Sequence, residues 1–182
     1  MRIVSGKYKG KRIEAPRKLP VRPTTDMAKE ALFNILNNRY YFEDLKVLDL
    51  FSGIGSISLE FASRGSSQVT AVDAHSGCVS ILNSTSQKLE AGIKCIRADA
   101  LDYLKKVCEK YDLIFADPPY DLERDEFILL VEQVMERELL TEDGVLVMEH
   151  STRMKFEELP HFVESRKYGS SSFSFFASSA SS

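Results

Sequence analysis

The chain has 182 residues, 43% hydrophobic and 28% charged, with a formal net charge of −3. This is enough for one globular domain, expected to span 1–182, with a sizeable core. No apolar run reaches the roughly 18 residues of a spanning helix, and the start Met1-Arg2-Ile3-Val4-Ser5-Gly6-Lys7 turns charged early. Neither a membrane nor a secretory role is therefore expected, and a cytoplasmic location is.

Charge is unevenly placed. Residues 1–30 hold nine basic and three acidic side chains, a net of +6, leaving −9 for the remainder. A polyanion docking at that end would suit this asymmetry, and so would a merely solvated basic surface. Two short strands, Arg2–Ser5 and Lys11–Ala15, flank the turn Gly6-Lys7-Tyr8-Lys9-Gly10, so 1–20 reads as a basic N-terminal β-hairpin extension. Pro16, Pro20 and Pro23 punctuate a connector. Thr24 or Thr25 then caps a helix to about Asn37, with Ala28, Ala31, Leu32, Ile35 and Leu36 at helical spacing.

From about residue 45 strands and helices alternate. Strands are expected at 47–51, 69–73, 93–98, 112–116 and 145–149, and helices at 54–63, 76–91, 101–109 and 126–138. That order calls for an α/β fold, a mostly parallel sheet with helices on both faces, over a core of 45–176. Two further strands, 162–168 and 173–176, turn at Gly169, and the Ser-rich tail 177–182 is expected to fray.

Chemistry concentrates at strand ends. Asp49-Leu50-Phe51-Ser52-Gly53-Ile54-Gly55 joins the first of these strands to its helix, where open α/β sheets bind ligands. Phe51, Ser52, Gly53 and Gly55 form a close-approach loop with Asp49 before it, and Asp73 ends the second strand, suited to a ribose diol. Asp99-Ala100 follows the third and could read an adenine amine, or Asp99 simply caps the next helix. A dinucleotide enzyme would prefer a third glycine where Ser58 stands.

The most informative segment is Asp117-Pro118-Pro119-Tyr120 after the fourth strand. Two prolines cannot sit inside a parallel ladder, so they fix a stiff loop beyond it. Asp117 and the Pro118 carbonyl can accept both hydrogens of a base NH₂, and Tyr120 can stack on that base. An aromatic amine is a poor nucleophile, so orienting it toward an activated methyl supplies much of the catalysis. Cys78, Cys95 and Cys108 form no CxxC pair and read as reduced thiols. His75, His150 and His161 are scattered, so no metal site is expected. Glu149 ends the fifth strand and faces either the cleft or the surface.

Together these residues resemble the bacterial 16S ribosomal RNA guanine-N2 methyltransferases of the small Asp-Pro-Pro-Tyr/Phe type. The likeness runs from Arg2-Ile3-Val4-Ser5-Gly6 and Arg22-Pro23-Thr24-Thr25-Asp26 through the glycine loop and Asp117–Tyr120 to Phe173-Ser174-Phe175-Phe176. It implies a Rossmann-like S-adenosylmethionine-dependent fold of seven strands, mostly parallel with an antiparallel last strand, and no metal. Substrate would be 16S rRNA in the small subunit or its assembly intermediate; apart from the resemblance, the −9 of the body leads to ribosomal protein as a further expected partner, and a monomer is expected. By that likeness Arg22, Thr24 and Thr25 lie near the active-site mouth. Lys7, Lys9, Lys11 and Arg12 are expected to hold phosphates flanking a flipped-out base, with Tyr8 stacking on RNA or packing beneath the hairpin. Lys29, Ser58 and Phe61 depart from the family pattern. Rival functions are methylation of DNA adenine N6 or a tRNA base, a non-catalytic ribosome-assembly factor, and a dinucleotide oxidoreductase, which Ser58 and the proline loop disfavour.

Overall fold

The computed structural model describes residues 1–16, 18–19 and 24–178. Its elements are α1 (Asp26–Asn37), β1 (Lys46–Leu50), α2 (Ser56–Ser63), β2 (Gln68–Asp73), α3 (Ser76–Leu89), β3 (Lys94–Arg97), α4 (Ala100–Leu104), β4 (Tyr111–Ala116), α5 (Arg124–Glu136), β5 (Leu140–Ser151), β6 (Phe162–Tyr168) and β7 (Ser171–Ala177). They form one seven-stranded sheet in the order β3-β2-β1-β4-β5-β7-β6. β1 to β5 pair in parallel, whereas β7 runs antiparallel to both β5 and β6. The expected α/β sheet with its antiparallel last strand is thus present.

Alternation along the strands sorts the core into two layers. Val47, Leu113, Phe115, Val145 and Val147 meet α1, α2 and α3 on one face. Leu48, Leu50, Ile114, Ala116, Leu146 and Met148 meet α4 and α5 on the other. Phe61, one of the departures, packs edge-on against Phe33 at 4.6 Å between ring centroids, with Phe42 at 6.0 Å. The larger ring binds the first two helices together.

Four expectations need correction. The N-terminal hairpin pairs its arms through one bridge, Arg2 to Arg12, with Ile3 N–H donating to the Lys11 carbonyl and Ile13 N–H to the Met1 carbonyl, both at 3.0 Å, but the pairing is too short for the two expected strands. Its backbone turns elsewhere: Val4 and Ser5 N–H donate to the Glu60 carboxylate at 2.9 and 3.0 Å, and Lys7 and Tyr8 N–H donate to Ser63. Nor is it an appendage, since Ile3, Tyr8 and Ile13 are buried in the core. The expected helix at 101–109 ends at Leu104, its last fully buried anchor. β5 begins at Leu140, which pairs with Tyr111; 141–144 then bulge out before Val145 pairs with Leu113, and Thr141 Oγ1 in that bulge donates to Asp112 at 2.8 Å. Finally, Ala177 does not fray; it pairs with Val145 and donates its N–H to His161. Of the expected frayed tail, 179–182 lie outside the described residues, as do Arg22, Pro20 and Pro23 of the connector.

Candidate active site

The strand order reverses between β1 and β4, and a doubly wound sheet opens a crevice beyond the carboxyl ends there. Leu50 and Ala116 are register partners, so the segments after them emerge side by side, and Asp117 N–H reaches the Leu50 carbonyl at 3.5 Å. The glycine loop and the Asp-Pro-Pro-Tyr loop therefore share one crevice.

Phe51 adopts φ +58°, a conformation that costs a non-glycine residue energy and is concentrated at functional sites. Ser52 N–H then donates to the Val72 carbonyl at 3.0 Å, and Gly53 N–H to Asp73 Oδ2 at 2.8 Å. Gly55 sits at φ +91° at the start of α2, where an added Cβ would lie 2.2 Å from a Leu82 methyl. Only glycine fits both the turn and the helix packing.

Asp49 lies beneath this loop, 1% exposed. Ser58 donates to its Oδ2 twice, from Oγ at 2.6 Å and from N–H at 3.1 Å. Burial pushes the Asp49 carboxyl up to about 7; the Ser58 hydrogen bonds oppose the rise and the Asp73 charge adds to it. Ser58, a departure in sequence, is thus the partner that makes a buried Asp49 tolerable. Asp73, half-buried, also accepts His75 N–H through Oδ1 at 2.8 Å. Asp99 is exposed and caps α4, accepting Asp102 N–H at 3.0 Å. The Ala100 side chain is buried in the second core layer, leaving its backbone for any ligand.

Past β4, Asp117 is half-buried, Pro118 buried and Pro119 exposed, while Tyr120 stands 68% exposed at the rim. Thr25 supplies the α1 cap, its Oγ1 accepting Ala28 N–H at 3.2 Å. Thr24 instead donates to Glu149 Oε2 at 3.2 Å, tying the start of α1 to the end of β5. Glu149 is only 9% exposed. Its sequence signal was an acid at a strand end, which alone did not separate cleft from surface.

The basic residues divide by position. Helices α2 and α3 run against the strands, so their first residues are at the crevice end and their last at the opposite end. Lys29 Nζ bonds the Arg2 carbonyl at 2.6 Å and lies 3.4 Å from Ser56 Oγ at the start of α2, whereas Tyr8 N–H bonds Ser63 Oγ at its end. The N-terminal segment therefore descends α2, about 12 Å for eight residues, and Lys7 and Lys9 are carried away from the crevice. Returning, Lys11 and Arg12 line an open groove of about 510 Å³ with Ser80, Ser84, Thr85 and Lys88 of α3. Tyr8 is 7% exposed, and its hydroxyl donates to the Glu90 carbonyl at 3.4 Å. It packs beneath the segment and does not present its ring for stacking.

His75 caps α3 by accepting Gly77 N–H at 3.1 Å. His150 is buried, with Nδ1 2.9 Å from the Ser151 carbonyl and Nε2 2.7 Å from Ser174 Oγ, and burial lowers its pKa. No cluster of three potential metal ligands occurs among the described residues. Nor is any described helix long and apolar enough to cross a membrane. All three cysteines are unpaired thiols.

A family model described as Conserved hypothetical protein 95 matches residues 1–177. The putative rRNA methyltransferase YlbH of Bacillus subtilis (strain 168) is 32% identical over 163 residues, spanning 87% of this chain and 86% of that protein. The ribosomal RNA small subunit methyltransferase D of Escherichia coli (strain K12) is 30% identical over 121 residues, 66% of this chain and 60% of that protein. A hypothetical protein of Thermus thermophilus superposes with a TM-score of 0.84 at 24% identity, covering 97% of this chain and 99% of its own. A T. thermophilus 16S rRNA N2 methyltransferase in complex with AdoMet and guanosine gives 0.69 at 22% identity, covering 85% of this chain and 43% of its own. These two structural likenesses speak to the fold. The family match covers nearly the whole chain and the Bacillus relative follows it along most of its length, so the chain belongs to the Conserved hypothetical protein 95 family, alongside relatives named as rRNA methyltransferases.

Proposed function

We propose that this chain transfers a methyl group from S-adenosylmethionine to the exocyclic N2 of a guanine in 16S rRNA. The substrate would be the small subunit or its assembly intermediate, met by a cytoplasmic, monomeric enzyme that also touches ribosomal protein. The observation that carries the reading is the adjacency of two loops: Phe51–Gly55 after β1 and Asp117–Tyr120 after β4, joined through the Asp117–Leu50 hydrogen bond. The relatives' names support an rRNA target.

The donor set suits the cofactor. Asp73 ends β2 with a half-buried carboxylate that can take a ribose diol, and Asp99 follows β3 as the cap of α4, where an adenine amine would fall. Asp49 supports the loop from below, and the backbone of Phe51, Ser52, Gly53 and Gly55 can approach closely. The cofactor supplies an activated sulfonium methyl. Asp117 and the Pro118 carbonyl accept the two amine hydrogens and hold the nitrogen in line, and Tyr120 covers the base face. Asp117 or water takes up the proton released from nitrogen.

A base buried in folded RNA must be flipped to reach this crevice. Lys11 and Arg12, with Lys88, offer phosphate contacts along α3, and Lys7 and Lys9 meet RNA only farther from the target. Labelled methyl transfer to unmodified small subunits, naked 16S RNA and duplex DNA, with Asp117→Ala as control, tests the reading. Expected is N2-methylguanine in subunits, lost in the variant while cofactor affinity is kept. Label in DNA would overturn the RNA assignment, and cofactor binding with no label anywhere would favour an assembly factor.

A further inference from the structure

Asp117 cannot by itself choose among amino bases, since guanine, adenine and cytosine all offer an NH₂ with two donors. They differ at the Watson–Crick ring nitrogen beside the amine. In guanine that nitrogen carries a hydrogen and donates; in adenine and cytosine it is a lone pair and accepts. A second carboxylate beside Asp117 would welcome the first and repel the other two.

Glu149 occupies that place. Ala116 and Met148 are register partners in the parallel β4–β5 pair, so one step further Asp117 falls level with Glu149. Side-chain alternation gives both the same face: Leu113, Phe115, Val145 and Val147 belong to one core layer, and Ile114, Ala116, Leu146 and Met148 to the other. Adjacent strands stand about 4.8 Å apart, which brings the two carboxylates within reach of neighbouring donors on one base edge. Thr24 Oγ1 donates to Glu149 Oε2 at 3.2 Å and helps to orient it, filling one of the roughly four acceptor sites that a carboxylate offers. At 9% exposure, little water competes with a ligand there.

We propose that Glu149 selects guanine by accepting the N1–H of the target base while Asp117 accepts from the adjacent amine. Thr24 is a positioning residue acting through it. The assignment rests on the methyltransferase reading above and supplies the base preference that the Asp117 loop leaves open. A buried acceptor of this kind discriminates strongly, because the wrong base leaves it facing a lone pair.

The test uses small subunits reconstituted with either guanine or 2-aminopurine at the methylated position. 2-Aminopurine keeps the amine and replaces N1–H with a lone pair. Wild-type enzyme should prefer guanine by roughly 10- to 100-fold in kcat/KM. Glu149→Gln should lose most of its rate on guanine and none on 2-aminopurine, because an amide can donate to that lone pair, so the preference collapses at unchanged S-adenosylmethionine affinity. An equal fall on both substrates is what a merely structural Glu149 gives, and it would overturn the proposal. So would a wild-type enzyme indifferent to the two bases, which needs no variant to fold. Absence of label in guanine subunits with wild-type enzyme would instead overturn the methyltransferase reading itself.

Discussion

Replacing Glu60 with glutamine isolates what one carboxylate does for the N-terminal segment. Glu60 is fully buried in α2 and accepts from Val4 N–H at 2.9 Å, Ser5 N–H at 3.0 Å and Arg64 Nε at 3.0 Å, with Lys29 Nζ 3.3 Å away. Lys29 is buried as well, at 1% exposure. Glutamine keeps the shape but removes the charge, so Lys29 is left as a buried cation without its counter-ion, and the amide NH₂ faces donors. Breaking a buried pair from one side costs about 3–5 kcal/mol. At roughly 2–4 °C per kcal/mol for a domain of this size, melting should fall by about 10 °C. Urea unfolding gives the free energy, and hydrogen exchange at Val4 and Ser5 reports whether the segment detaches locally. The double variant Lys29→Met/Glu60→Gln should recover part of the loss, since the orphaned charge is gone. A Glu60→Gln loss below about 1 kcal/mol, the ordinary value of a surface pair, would refute the claim that this carboxylate pins the segment.

Stability should depend on Asp49 with an inverted sign. Its folded pKa is raised from 3.8 to about 7, so the unfolded chain loses its proton first, and stability falls as pH rises through that window, by up to about 4 kcal/mol. The urea stability difference between wild type and Asp49→Asn, followed from pH 4 to 8, should show this drift, and a flat difference would contradict it. Gly55→Ala forces both φ +91° and the Leu82 contact, and should cost about 3 kcal/mol and most cofactor affinity by calorimetry; a normal Kd would mean that the loop tolerates rearrangement. Reversing Lys11 and Arg12 to glutamate should weaken RNA binding and lower the slope of log K against log salt by about 1 per lost phosphate contact. The same change at Lys7 and Lys9 should do less, and the opposite ranking would argue against an RNA path along α3.

Local physics made the sheet and its loops legible. The central strands are mostly apolar runs because both faces are covered: Leu113–Ala116 is wholly buried and apolar, and Val47–Leu50 is interrupted only by the buried Asp49. Gly55 and Pro118-Pro119 announce turns through their own backbone constraints. The shortness of the N-terminal pairing was illegible for the opposite reason: Val4 and Ser5 find their acceptor on Glu60, 56 and 55 residues away, and nothing near them in sequence signals it. The early start of β5 hides likewise, since its first pairing, Leu140 with Tyr111, is cut off from the rest by the bulge at 141–144, whose Thr141 finds its acceptor on Asp112, 29 residues earlier. Glu149 was visible as an acid at a strand end, but its placement depends on Thr24, 125 residues earlier.

These long-range contacts change what the basic segment does. Anchored through Glu60 and Ser63, and with Gly6 so close to Ser63 that an added Cβ would lie 1.9 Å from its carbonyl oxygen, it cannot swing out as a free arm. Its charge is therefore presented along α2 and α3 at fixed places, with Lys11 and Arg12 on the α3 groove and Lys7 at the far end. Its two ends also touch the site: Lys29 links Arg2 to Ser56 at the head of α2, and Leu19 lies against Gly77 at the head of α3, just beyond Asp73. On the proposed function, a rigid basic track built onto the helices that carry the glycine loop would make RNA docking and crevice geometry depend on the same contacts. Loosening Glu60 should then weaken cofactor binding as well as stability, even though Glu60 itself lies outside the crevice.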